Sequence, residues 1–242
     1  LALALPDGGS YSEEETSRRA YDLTAEAFGP GRNGPLVVTV DITQTTDVLD
    51  DLARVADELA EVPGVASVGT PIPNATIDTA IIQVIPETGP SDPETTALVE
   101  HIRDLAPAIE REYDTPIAVT GSTAVAIDVS QRLDEALLPF GLVVVGLSIV
   151  LLMMVFRSVV VPIKAALGYL LSVFASFGVV VAVFQWDGGA ELLHVEPGPI
   201  LSFMPILLVG VLFGLAMDYQ LFLVSGMREA HAHGVPARLA VQ

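Results

Sequence analysis

Cysteine is absent from this sequence, and positive charge is scarce. The lack of cysteine in all 242 residues excludes a disulfide framework, a thiolate metal site and a cysteine nucleophile. Lysine and arginine together number 11, against 30 aspartate and glutamate residues, which gives a formal net charge of −19. That balance argues against a nucleic-acid partner, because few cations are available to neutralise phosphates.

Recognisable nucleotide and metal motifs are missing as well. The single lysine, Lys164, does not stand in a G-x-x-x-x-G-K-[ST] sequence, so no ATP site is predicted. GPGRNG at 29–34 has the spacing G-x-G-x-x-G, but it precedes a predicted strand instead of following one, which argues against a dinucleotide site. His231 and His233 follow the last apolar run, where a solvated segment is a simpler interpretation than a metal site. We therefore expect neither a cofactor nor a bound metal ion.

The charge that is present lies almost wholly in one part of the chain. Positions 1–135 hold 25 acidic and seven basic residues, a formal charge of −18, whereas the remaining positions hold five acidic and four basic residues. Apolar residues make up 51% of the chain and the mean hydropathy is +0.57, with the apolar residues concentrated after residue 136. The sequence therefore predicts an acidic, water-exposed domain followed by a membrane domain.

The acidic part has the pattern of a small α+β domain. Residues 1–34 are interpreted as a connector with a helix over roughly 13–28, and residues 35–121 as the domain itself. The predicted order in the domain is β-α-β-β-α-β, the ferredoxin-like pattern of two helices on one face of a four-stranded sheet. The predicted strands are 35–42, 64–72, 76–85 and 116–121, and the predicted helices are 47–61 and 93–112, with Thr46 and Ser91 as their caps.

From Ser122 onwards the pattern is helical and increasingly apolar. An amphipathic segment over 122–135 leads into apolar runs, each of which exceeds the roughly 20 residues needed to cross a membrane. Within 122–226 we predict an all-α transmembrane bundle fragment of three helices, followed by a cytoplasmic segment over 227–242. The three predicted spans are about 136–156, 158–185 and 199–226.

Charges around the predicted spans indicate an orientation. Basic residues lie on one side and acids on the other, so the positive-inside rule makes residues 1–135 extracytoplasmic and the C-terminus cytoplasmic. The chain begins without Met, shows no signal peptide and stops within a helical pattern, so we interpret it as a fragment of a longer membrane protein. The basic residues are Arg157, Lys164, Arg228 and Arg238, and the acidic ones are Asp187, Glu191 and Glu196.

One ionisable residue, Asp218, lies inside the third apolar run. A charged side chain at the centre of a membrane helix costs about 2.5–3.5 kcal/mol on insertion scales, and such residues commonly carry protons or bind cations. Gly210, Gly214 and Asp218 are spaced by four, which places them on one helix face where small residues allow a second helix to pack closely. Tyr219 follows at about 100° round the helix. The alternative is an aspartate that only hydrogen-bonds between helices.

The segment around Asp218 carries a family resemblance. GLAMDYQLFLVSGMRE at 214–229 closely resembles the motif G-L-[AS]-M-D-Y-x-x-F-L-[VL]-S-R-[MI]-R-E of MMPL-type transporters in the resistance–nodulation–division superfamily. Further similar stretches are AEAFGPGRNGPLVV at 25–38, GSTAVAIDVSQRL at 121–133, GPILSFMPILLVGVLFG at 198–214 and the run at 156–186. The resemblance covers essentially the whole chain.

The resemblance implies a transporter built of two similar halves, each with a porter domain and six spans. The present chain would run from just after the seventh span, through the second porter domain, to the tenth span. Asp218 and Tyr219 would then be the tenth-span pair of a proton relay, and the remaining half of the transporter would supply the fourth-span pair. Gly226 departs from the family, which usually has arginine there.

Three classes of function follow from these features. The first is a proton-motive-force-driven exporter of lipidic or amphipathic molecules in the bacterial inner membrane, with Asp218 and Tyr219 as the relay and Gly210 and Gly214 packing round it. The second is a non-transporting membrane scaffold or lipid-sensing protein. The third, a membrane enzyme, is disfavoured because the acidic domain has no nucleophile–base pair. The oligomeric state stays open, with a homo-oligomer among the possibilities.

Overall fold

The computed structural model describes residues 3–186 and 198–233, with part of the side chains beyond Tyr219 left undescribed. The chain divides into two compact units, one over Ala4–Ser130 and the other over Gln131–Gln242 with Leu1–Leu3. The acidic residues Asp187, Glu191 and Glu196, which were used to predict the orientation, lie outside the described residues. So does the end of the predicted cytoplasmic segment, residues 234–242. Each unit is described separately below.

The chain before Gln131 is an α+β unit, which confirms the predicted class. Its helices α1, α2 and α3 are interspersed with strands β2 to β6, while β1 straddles the division between Leu3 and Ala4, and short 3-10 turns lie at Gly8–Ser10 and Pro30–Asn33. The helices are α1 (Thr16–Phe28), α2 (Val48–Ala60) and α3 (Pro93–Tyr113), and the strands are β1 (Leu3–Ala4), β2 (Leu36–Asp41), β3 (Val65–Val68), β4 (Ile72–Pro73), β5 (Thr79–Pro86) and β6 (Ile117–Thr120).

The main sheet of this unit is antiparallel, with strand order β3-β5-β2-β6 and with β4 also paired to β5. Because side chains alternate along a strand, Leu36, Val38 and Val40 of β2 all point to one face, where each is fully buried. Apolar residues of α2 and α3 cover that face and complete a single core. Each buried Leu, Val or Ile stabilises such a core by about 1.5–3 kcal/mol.

Three local predictions for this unit are wrong: the strand over 64–72 and the helix caps Thr46 and Ser91. The strand predicted over 64–72 is divided into β3 and β4, and its pairing with β5 shifts register between Val65 and Ser67. Asp92 is the residue at the N-terminus of α3, whereas the Ser91 hydroxyl donates to Asp7 Oδ2 at 2.8 Å. The carboxylate of Asp92 accepts the Gly89 backbone N–H at 2.7 Å, so this helix start is held by a tertiary contact and a turn.

The second unit consists mainly of long apolar helices. Helix α4 spans Ser122–Phe156, α5 spans Val160–Phe184 and α6 spans Met204–Ala232, with a short strand β7 at Ile200–Leu201. By length and composition, helices α4 and α5 are long and apolar enough to cross a membrane. In α6 the corresponding apolar stretch of described residues, Met204–Tyr219, is shorter. The third predicted span therefore stays a prediction.

The first turns of α4 belong to the α+β unit. Ala124 and Ile127 are 1% and 7% exposed and lie in the core formed by the sheet and helices. Arg103 of α3 donates to both carboxylate oxygens of Asp128 at 2.6 and 2.9 Å, a bidentate ion pair. This hydrogen-bonded partner raises the pKa of the Arg103 guanidinium. The same helix then continues without a break, past Pro139, to Phe156.

Candidate functional site

Helix α6 is held in place by its packing against α5. Tyr169 and Val173 of α5 form a buried cluster with Val209 of α6, and Phe213 and Met217 pack against it. The Tyr169 hydroxyl donates to the Val209 backbone oxygen at 2.8 Å. The Tyr169 and Phe213 rings meet edge to face, with centroids 5.7 Å apart, a favoured aromatic geometry. These contacts fix the helix that carries the predicted site.

The face with Gly210, Gly214 and Asp218 differs from the face that contacts α5. Among the described residues, no atom outside α6 lies within 4 Å of where a Cβ at Gly210 or Gly214 would stand. Asp218 is exposed in this chain. The described helices therefore leave the small-residue face uncovered, and the predicted close packing of a second helix on it stays a prediction.

Tyr219 lies where α6 meets α5. Its side chain, 65% exposed, lines a cavity of about 170 Å³ that also has Gly168, Tyr169 and Ser172 of α5 in its wall. The Ser172 hydroxyl donates to the Gly168 backbone oxygen at 3.1 Å. The adjacent residues Asp218 and Tyr219 therefore lie on different surfaces of α6. Asp218 is exposed, and Tyr219 lines the cavity against α5. Sequence reasoning predicted the pair but not the cavity, because the cavity depends on how α5 and α6 pack.

A second concave surface lies on the open face of the sheet in the α+β unit. This groove of about 450 Å³ is lined by residues in and beside β2, β5 and β6, including Thr39, Asp41 and Asp78. Hydrogen bonds from the Thr43 backbone and side chain lower the pKa of Asp41. Hydrogen bonds, the strongest from Thr76, likewise lower the pKa of Asp78. Among the described residues, no group of three or more metal-ligating side chains is arranged to hold an ion.

Comparison with known families assigns the chain. The sequence model of the MMPL family matches residues 15–242. The chain belongs to the MMPL family. This confirms the resemblance seen around the Asp218–Tyr219 motif, which the match includes.

Three MMPL relatives match between 56% and 96% of the chain. Membrane protein YdfJ of Bacillus subtilis is 46% identical over 235 residues, which is 96% of this chain and 32% of that protein. The mycolic acid-containing lipids exporter MmpL11 of Mycolicibacterium smegmatis is 32% identical over 88% of this chain and 23% of its own length. The trehalose monomycolate exporter MmpL3 of the same species is 32% identical over 56% of this chain and 13% of its own length. The chain thus spans about a third or less of these relatives.

The chain is part of a membrane protein, because it belongs to the MMPL family and contains the apolar helices α4 and α5. The family match extends over both units, so the α+β unit and the apolar helices belong to one MMPL region. Asp218 and Tyr219 lie inside this region, on a helix whose packing against α5 is built from the apolar residues described above.

Proposed function

We propose that this chain is part of a proton-motive-force-driven exporter of lipidic or amphipathic molecules, with Asp218 as the proton carrier and Tyr219 as its hydrogen-bonding partner. The observation that carries the proposal is the carboxylate of Asp218 on the apolar helix α6, on one face with Gly210 and Gly214, which the described helices leave uncovered. A carboxyl shielded from water holds a proton readily, and a rearrangement that admits water releases it. Such a group can therefore couple proton entry to a change in helix packing.

The substrate class is proposed from the relatives and from the membrane setting. MmpL11 and MmpL3 of Mycolicibacterium smegmatis are named as exporters of mycolic acid-containing lipids and of trehalose monomycolate. Both names denote lipidic substrates, and a membrane-embedded exporter has the lipid bilayer as its surroundings. We extend that class, lipidic or amphipathic molecules, to the present chain.

We propose that the α+β unit is a ferredoxin-like porter domain on the extracytoplasmic side. The strand order β3-β5-β2-β6 and the coverage of one sheet face by α2 and α3 support this fold. The acidic charge of residues 1–135 and the basic residues after the first span support the orientation. In this arrangement the C-terminus is cytoplasmic and the protein spans a bacterial inner membrane several times.

The proposed mechanism needs partners beyond this chain. The remaining half of the same protein would supply the second Asp-Tyr pair and the helix that covers Gly210 and Gly214. The lipid bilayer would surround the spans, and a homo-oligomer is compatible with the proposal. The proton gradient would supply the energy for transport in place of ATP or a bound cofactor. Helix α4 is one continuous helix from the α+β unit to Phe156, and we propose that it transmits the change of relay protonation to the porter domain.

The test is proton flux through the full-length protein in proteoliposomes that contain candidate lipids. A pH gradient is imposed, and a dye inside the vesicles follows the lumenal pH for wild type, Asp218→Asn and the control Ser225→Ala. We expect Asp218→Asn to lower flux by about a hundredfold or more, because removal of a general acid–base group typically costs 10²–10⁴. Ser225 is exposed and bonds within its own helix, so Ser225→Ala should retain flux.

Folding and insertion of each variant are measured in parallel. Wild-type flux in a folded Asp218→Asn protein would contradict the relay and favour a scaffold or lipid-sensing role. If folded and inserted Asp218→Asn protein loses both lipid transport and proton flux, the two are coupled through Asp218.

A further inference from the structure

We propose that Ser172 of α5 is a further residue of the proton path, and that water in the cavity between α5 and α6 joins its hydroxyl to that of Tyr219. The inference rests on the proposed function, since it extends the relay from the Asp218–Tyr219 pair to a neighbouring helix. It assigns a chemical role to a serine that lies 47 positions from Tyr219 in the sequence.

The geometry that carries the proposal is the shared cavity. Ser172, Tyr169 and Tyr219 all line it, and its remaining wall is made of small or apolar residues of α5 and α6. At about 30 Å³ per water molecule, a cavity of this size has room for several waters. Ordered water in a membrane helix pair needs polar partners, which hydroxyl groups provide. Three hydroxyl-bearing residues in one small cavity meet that requirement.

The two hydroxyls on α5 differ in what they can do. Tyr169 donates its proton to the Val209 backbone oxygen at 2.8 Å, in a buried contact that holds α5 against α6. Ser172 is exposed, and among the described residues its hydroxyl makes a long bond within its own helix, to the Gly168 oxygen at 3.1 Å. A hydroxyl that donates one bond still accepts two more through its oxygen lone pairs. Ser172 can therefore rotate and accept a proton from water, whereas Tyr169 has a structural role.

The proposed transfer balances protons at each step. The Asp218 carboxyl gives its proton to a water molecule, which passes one of its protons to the Tyr219 oxygen while the Tyr219 hydroxyl passes its own proton to a cavity water. That water passes one of its protons to the Ser172 oxygen, and Ser172 releases its hydroxyl proton to the next water. Tyr219 and Ser172 end as neutral hydroxyls, and the only charge left behind is the Asp218 carboxylate.

A matched pair of variants isolates the hydroxyl of Ser172. Ser172→Thr keeps the hydroxyl and adds a methyl group, and Ser172→Val differs from that variant only by a methyl group of nearly the same size in place of the hydroxyl. Because Ser172 is exposed and no described atom outside α5 lies within 4 Å of where a Cβ at the neighbouring Gly168 would stand, the described structure has room for either side chain. Ser176→Ala is the positional control, since Ser176 lies one turn further along α5 and is not part of the cavity wall.

The experiment measures proton flux through the full-length protein in proteoliposomes, in H₂O and in D₂O, with Asp218→Asn included. We expect Ser172→Val to slow flux by about tenfold or more and to change the solvent isotope effect. Ser172→Thr and Ser176→Ala should stay near wild type. Equal flux for Ser172→Thr and Ser172→Val, with Asp218→Asn inactive, would overturn the role of Ser172 and leave the proposed function standing. Undiminished flux in folded Asp218→Asn would instead overturn the relay itself.

Discussion

Ile77 stands in a backbone conformation that suits its side chain poorly. Its φ is 54°, in the left-handed region that β-branched residues avoid because of close contacts with the following carbonyl. The side chain is 59% exposed, so burial of apolar surface offsets little of the cost of this backbone conformation. Around it, the Asn74 and Asp78 side chains hydrogen-bond each other at 2.6 Å and hold the turn between β4 and β5.

Ile77→Asn should therefore stabilise this turn by about 1 kcal/mol, since Asn tolerates the left-handed region far better than a β-branched residue. Hydrogen exchange in the full-length protein checks the result, with amide exchange in β4 and β5 expected to slow by about fivefold. Ile77→Val is the control, because valine keeps the branched Cβ and the strain. Faster exchange in Ile77→Asn than in Ile77→Val would contradict the expectation.

Single residues were the least predictable level of this structure. Thr46 and Ser91 have the chemistry of helix caps, yet Asp47 and Asp92 occupy the N-cap positions of α2 and α3, without a side-chain cap bond. The Ser91 hydroxyl is used for a contact with Asp7, 84 positions away. Local sequence cannot reveal such a partner, because the capping preference competes with a tertiary hydrogen bond of similar strength.

Patterns that repeat over several residues predicted the elements much better. Along most of their length, strands β2 and β5 alternate buried side chains with half-buried or exposed ones. This period-two pattern predicts both strands. The segment at 64–72 has the same apolar character but contains Gly69 and Pro71, and the structure breaks the strand there. The Asp218–Tyr219 motif was found from sequence, whereas Ser172 required the packing of α5 on α6.

The attachment of α4 to the α+β unit depends on one ion pair as well as on its buried residues. Arg103 and Asp128 have side chains 34% and 42% exposed, so solvent screens the pair and its net contribution is about 1 kcal/mol or less. Asp128→Asn should lower the stability of the first turns of α4 by that amount, because the bidentate geometry is lost. The measurement is amide exchange over residues 122–130 of the full-length protein.

The double variant Arg103→Asp/Asp128→Arg tests whether the pair itself is responsible. We expect it to recover part of the protection lost in Asp128→Asn, since the two charges again oppose each other. Asp104→Asn is the matched control, because Asp104 lies exposed next to Arg103 on α3 and should change exchange little. Equal effects of Asp104→Asn and Asp128→Asn would show that only the net charge matters.

At the scale of the whole protein, the described helices leave one face of α6 uncovered, and the chain spans about a third or less of its MMPL relatives. These two observations fit each other. The MMPL relatives are about three or more times longer than the region matched here, and the relay proposal places the partner helix of Gly210 and Gly214 in that additional sequence. An aspartate that is exposed in this chain would then be enclosed in the complete protein. Composition and periodicity predicted the division into an acidic unit and apolar helices, but could not supply contacts with residues outside the chain.

The proposed orientation of the whole molecule gives the last prediction. The sequence has no native cysteine, so single cysteines can be introduced within it into a cysteine-free full-length background and tested with a membrane-impermeant maleimide. Glu61→Cys, exposed on the α+β unit, should be labelled in intact spheroplasts. Arg157→Cys, exposed between α4 and α5, should be labelled only after permeabilisation, because basic residues at span ends stay in the cytoplasm. Both sites should react equally in permeabilised membranes, and labelling of Arg157→Cys in intact spheroplasts would reverse the proposed topology.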